Sequence, residues 1–152
     1  MADYRETVDY ILGIPLFAQK IGKENLSSLL CRLGNPEKAV PCIHVAGTNG
    51  KGSTCRALSQ MLMEAGYKVG LFTSPHLVSI NERIQINGVN ISDEDFVTAF
   101  ETVKEKFDVH PSFFEVMFAM AAVYFREKQC DVVVYETGMG GRLDATNVVI
   151  PE

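Results

Sequence analysis

The sequence predicts an α/β fold of three layers, a mostly parallel sheet with helices on both faces. Three observations lead there. Short β-rich runs alternate with helix-length amphipathic segments, which is the pattern of strand–helix–strand units. Two glycine-rich loops each follow such a run, and one of them opens directly into a helix. The chain has 152 residues, 47% of them hydrophobic, enough for one domain to bury a sizeable core. With 22% charged residues and no repeat, disordered and collagen-like classes are excluded.

Taken in order, residues 4–12 and about 25–33 read as short helices joined through Pro15 and Gly22. Leu26, Leu29, Leu30 and Leu33 give the second an apolar face, and Gly34-Asn35-Pro36 ends it. Val40 to Ala46 is a β-rich run. Gly47 to Ser53 is a glycine loop, and Ala57, Leu58, Met61, Leu62 and Ala65 continue at helical spacing until Gly66. Lys68 to Phe72 is a second strand, so a βαβ unit and a parallel sheet follow. Arg83–Ile86 and Val89–Ile91 flank Asn87-Gly88, a two-residue hairpin signal. Ser92-Asp93-Glu94-Asp95 has capping-box form before a helix to about Phe107. A further helix runs from Pro111 to Lys128, and Asp131 to Tyr135 is a buried-type strand. Thr137 to Asn147 is the second glycine-rich loop.

Charge narrows the function classes. Fourteen Lys and Arg against nineteen Asp and Glu give −5, so a phosphate backbone is a poor partner and nucleic-acid binding is not expected. An anion would have to be held by a local device. The start, MADYRETVDY, has no signal-peptide h-region. No apolar run reaches the 18 residues of a membrane span; the longest, Val116 to Phe125, stops at Arg126-Glu127-Lys128. Cys31, Cys42, Cys55 and Cys130 form no C-x-x-C pair, which disfavours zinc and fits a reducing cytosol. A soluble cytoplasmic protein is expected.

Ala46-Gly47-Thr48-Asn49-Gly50-Lys51-Gly52-Ser53 lies between a strand and a helix, the context of a phosphate loop. Glycines let backbone N–H groups approach phosphate oxygens, and the helix N-terminus adds its positive dipole end. Lys51 would meet the β- and γ-phosphates, and the Ser53 hydroxyl would ligate Mg²⁺. The spacing departs from G-x-x-x-x-G-K-[ST], because Gly52 separates Lys51 from Ser53. Glu136 ends a strand where open parallel sheets bind ligands, and its carboxylate suits Mg²⁺. Arg142 and Asp144 either contact ligand or pair with each other. Thr73-Ser74-Pro75-His76-Leu77 also follows a strand, and Ser74 offers a hydroxyl. Ser112 reads first as a helix cap, Phe113 as core, His44 as a packed strand residue. Glu101, Lys104, Glu105 and Lys106 read as a solvated helix face.

Together, Gly47–Ser53, Thr73–Leu77, Asn81-Glu82-Arg83-Ile84 and Glu136 to Asn147 (ETGMGGRLDATN) resemble folylpolyglutamate synthase. That family includes the bifunctional dihydrofolate synthase and belongs to the Mur-ligase-like amide ligases. The resemblance implies a P-loop NTPase-like Mur ligase central domain over residues 1–152, incomplete, with a carboxy-terminal glutamate-side domain beyond Glu152. It implies an ATP-dependent ligase joining L-glutamate to a folate or dihydropteroate through an acyl phosphate. Asn49, Gly50, Lys51, Gly52 and Ser53 would cradle ATP, with Lys51 and Glu136 as catalytic residues and Ser53, Ser74 and Glu136 as Mg²⁺ ligands. Ile21, Gly22, Lys23, Ser112 and Phe113 would line the pterin side. The resemblance assigns His76 no role. The parent enzyme is expected to be a monomer, and this piece alone is not expected to turn over. A P-loop small-molecule kinase or NTPase is the alternative reading, and a non-catalytic binding module a third.

Overall fold

The computed structural model describes residues 3–14, 24–45, 51–74, 76–107 and 111–136. Among these residues five α-helices and five strands follow one another: α1 (Tyr4–Leu12), α2 (Glu24–Arg32), β1 (Cys42–Val45), α3 (Lys51–Glu64) and β2 (Val69–Phe72). Then come β3 (Ile84–Ile86), β4 (Val89–Asn90), α4 (Asp93–Lys104), α5 (Phe113–Glu127) and β5 (Val132–Glu136).

The sheet order is β1-β5-β2-β3-β4. β5 lies between β1 and β2 and is parallel to both. That parallel trio is the expected core. The hairpin adds to it antiparallel, through Gly70 opposite Ile86 and Phe72 opposite Ile84. The sheet is therefore parallel in its centre and antiparallel beyond β2. Asn87 and Gly88 take φ of 50° and 78°, the left-handed pair that a tight hairpin turn requires. Asn87 Oδ1 accepts from the Val69 N–H at 2.8 Å, fastening the turn to β2.

Helices cover both faces. On one side, α1, α2, α4 and α5 pack over Phe72, Val133 and Tyr135. Helix α5 is apolar nearly all round, as a central buried helix must be. Tyr135 stacks beside Phe118 with ring centroids 5.1 Å apart, and burial pushes its phenol well above the usual range. On the other side α3 places Cys55 against Val69, Leu71 and Val134. The leucine face expected of α2 is buried, and Gly34 and Asn35 end that helix with positive φ. Two boundaries differ from expectation. Helix α3 opens at Lys51 rather than Ser53, and α4 closes at Lys104 rather than near Phe107. No helix among the described residues is long and apolar enough to cross a membrane.

Candidate nucleotide and metal site

The carboxyl ends of β1, β5 and β2 lie side by side, because Val45 pairs with Glu136 and Phe72 with Tyr135. Five residues separate β1 from α3, which returns along the sheet to β2, so its N-terminus belongs to this edge. The unpaired N–H groups of a helix's first turn favour an anion. Lys51 and Gly52 form the start of that turn, and Ser53 follows, exposed. Asn49 and Gly50 lie outside the described residues, as do the side-chain surroundings of Lys51.

Glu136 is the last residue of β5 and is 4% exposed. Ser74 is half-buried two residues beyond β2, and Thr73 before it is buried. The Thr73 N–H donates to the Arg83 carbonyl at 3.0 Å, which holds this segment level with the start of β3. A buried carboxylate with a neighbouring hydroxyl is a set of hard oxygen donors, which fits Mg²⁺. No group of three or more His, Cys, Asp or Glu suited to a metal occurs among the described residues.

The next position along the edge holds a group that the sequence motifs alone did not single out. Arg83 is 6% exposed and ends a short 3₁₀ turn, Ile80–Arg83, that runs into β3. Its Nε donates to His76 Nδ1 at 2.8 Å. Since a guanidinium stays protonated, His76 accepts through a bare Nδ1 and carries its proton on Nε2. Burial, then the Arg83 charge, hold His76 below its usual value, with Glu82 opposing. Burial likewise lowers Arg83, while the Glu136 carboxylate favours its charged form. The Arg83 Cζ stands 4.9 Å from the centre of the Phe113 ring.

Glu82 fixes the loop that carries His76. Its carboxylate accepts the N–H groups of Leu77, Val78 and Ser79 at 2.8 to 2.9 Å. Those bonds hold it below the ordinary carboxylate range. Asn81 is buried and ties the turn to its neighbours, accepting from the Tyr4 hydroxyl and donating to Ile91 O and Asp93 Oδ1.

Of the expected site residues, Ser53, Ser74, Glu136, Ser112 and Phe113 all come to this edge, since α5 begins there and descends to β5. Ser112 is the N-cap of α5 in a reciprocal capping box with Glu115, so its hydroxyl serves the helix. Phe113 is buried and faces Arg83. Ile21, Gly22, Lys23, Arg142 and Asp144 lie outside the described residues. Arg83 was legible only as part of the Asn81–Ile84 motif; a lone arginine beside a hairpin ordinarily reads as solvated.

Most of the chain is similar to known proteins. A dihydrofolate synthase/folylpolyglutamate synthase of Bacillus subtilis is 45% identical over 156 residues, covering 97% of this chain and 36% of the relative. The Escherichia coli protein of the same name is 43% identical over 130 residues, covering 85% of this chain and 31% of its own. The crystal structure of folylpolyglutamate synthase from Thermotoga maritima superposes with a TM-score of 0.90 at 46% identity, over 97% of this chain and 36% of that one. The chain belongs to the folylpolyglutamate synthase/dihydrofolate synthase family. It spans about a third of the length of these relatives. Escherichia coli FolC in complex with DHPP and ADP gives a TM-score of 0.91 at 38% identity, over 99% of this chain and 36% of that one. An FPGS–AMPPCP–folate complex gives 0.92 at 41%, over 99% and 38%. No family model matches the chain.

Proposed function

We propose that this chain is the nucleotide-binding part of an ATP-dependent ligase that joins L-glutamate to a folate or dihydropteroate. The observation that carries the reading is the common sheet edge on which the N-terminus of α3, Ser74 and Glu136 meet. Support comes from relatives whose described complexes hold ADP, an ATP analogue, folate and DHPP.

Asn49, Gly50, Lys51, Gly52 and Ser53 would wrap the phosphates with backbone N–H groups, and Lys51 would supply a point charge. Ser53, Ser74 and Glu136 would hold Mg²⁺. When bound, that ion neutralises charge building on the phosphate oxygens. Ile21, Gly22, Lys23, Ser112 and Phe113 would face the pterin, with the aromatic ring suited to a flat heterocycle.

The chemistry has two balanced steps. An acceptor carboxylate oxygen attacks the γ-phosphorus, forming a P–O bond as the bond to the bridging oxygen breaks and ADP leaves. The glutamate amine then attacks the acyl carbon, the C–O bond breaks to release phosphate, and the amine's proton passes to solvent. Positioning and charge stabilisation are the protein's part in both. We place the intact enzyme in the cytoplasm, in keeping with four free thiols, and as a monomer with small-molecule partners only.

The test is ADP release by the intact enzyme with a pteroate acceptor, with and without L-glutamate. Ligation predicts an amide product whose formation requires glutamate and matches ADP one for one. Sustained turnover without glutamate to a stable phosphorylated acceptor, with no amide formed when glutamate is added, would instead establish the small-molecule kinase.

A further inference from the structure

Arg83 is a buried cation whose hydrogen-bonding capacity is only partly used. Its Nε is committed to His76 Nδ1 at 2.8 Å. That partner is a neutral acceptor, so the bond fixes the guanidinium without cancelling its charge, and the Glu136 carboxylate is the opposite charge that acts on it. Its Nη1 is buried and has no hydrogen-bond partner among the described residues. The ring centres of Phe113 and Phe114 lie 4.9 and 6.0 Å from the Cζ and flank the group. Buried donors of a charged group are rarely left without an acceptor, so this N–H points to an anion.

We infer that Arg83 binds the carboxylate of the acceptor substrate through its Nη atoms, with His76 as the residue that positions it; this rests on the ligase reading above. Position along the sheet edge decides which anion it meets. From β1 to β3 the edge carries the end of β1 at Val45, then Glu136, Ser74 and Arg83, and the chain leaves Val45 toward α3. The proposed metal ligands thus separate Arg83 from the loop that would hold the nucleotide. A carboxylate that attacks the γ-phosphorus must approach from beyond that phosphate, which is the side Arg83 occupies. Phe113, expected on the pterin side, packs on the same guanidinium. A planar fork of donors matches a carboxylate in two-point fashion, which an ammonium cannot do.

The inference is tested in the intact enzyme with a pteroate acceptor and its carboxamide analogue, which lacks the negative charge. The wild type should bind the acid more tightly than the amide. Arg83→Gln should raise the acceptor KM by about 10-fold or more and bind acid and amide alike, with the KM for ATP held within about 2-fold. Arg83→Lys should show the same loss in part, and carries the test if Arg83→Gln does not fold. His76→Leu should weaken the acceptor, whereas His76→Asn, which restores an acceptor atom near Nδ1, should recover most of the loss. Arg83 variants that still prefer the acid as strongly as wild type would overturn the inference. So would a rise in the KM for glutamate alone, or equal rises for acceptor and ATP, which would mark Arg83 as structural. Wild-type enzyme that forms no glutamate-dependent amide would refute the ligase reading itself, a result distinct from any of these.

Discussion

At the residue scale the site is governed by how two carboxylates are used. Glu136 is buried at the end of a central strand, where a charge persists only beside compensating charge. Replacing it with Gln keeps the shape and removes the charge, so on the proposed reading of Glu136 as a Mg²⁺ ligand the variant should show a weaker Mg²⁺ dependence of nucleotide binding than the wild type. Titrations with and without Mg²⁺ test this, and an unchanged Mg²⁺ dependence would remove Glu136 from the metal ligands. Glu82 has the opposite task, gripping three successive backbone N–H groups from Leu77 to Ser79. Its folded pKa is depressed, so its contribution is present above the unfolded value near 4.5 and is lost as pH falls through the folded value. Glu82→Gln offers one acceptor oxygen where three N–H groups converge. Hydrogen exchange at pH 7 should then show faster exchange at Leu77, Val78 and Ser79; unchanged protection would contradict the grip.

At the element scale, β2 shows how closely a strand and a helix are matched. Gly70 sits in β2 under α5, and a Cβ built there would fall 2.7 Å from Phe125 Cδ1. Gly70→Ala forces the ring to move and should destabilise the fold by about 1–3 kcal/mol, read as a lower denaturant midpoint at unchanged slope. A midpoint equal to wild type would show that the ring has room to give way. Such elements differ in how far their sequence announces them. Helix α5 was legible because an unbroken apolar run follows Ser112-x-x-Glu115, and the hairpin because Asn87-Gly88 fits only one kind of turn. The start of α3 was not, since glycines at 50 and 52 argue against helix and only the strand before it fixes where the first turn closes. Nor does periodicity say which strand a hairpin joins. The pairing of β3 with β2 brings Arg83 across from Phe113, and no local pattern encodes that crossing. The place of Ser74 and Glu136 at one edge was legible for the converse reason, because one lies just beyond a strand and the other ends one, and parallel strands end together.

At the scale of the whole molecule, two cores flank one sheet and divide the cysteines between them. Cys55 belongs to the α3 face, Cys42 and Cys130 to the larger core, and Cys31 is exposed on α2. Burial pushes the Cys130 thiol up to about 11. A thiolate-selective reagent at pH 8 should therefore label Cys31 quickly and the other three only as the chain unfolds. Rapid reaction of all four in the folded protein would mean the layers are not closed as described.

The layered sheet brings the carboxyl ends of β1, β5 and β2 and the N-terminus of α3 to one edge, where we propose that the nucleotide phosphates bind. The most direct measurement is a calorimetric titration of Mg²⁺-ATP into this chain and into Lys51→Ala, each first verified as folded. The account predicts saturable binding by the wild type that is lost or strongly weakened without the lysine. Binding of equal strength by both would contradict it.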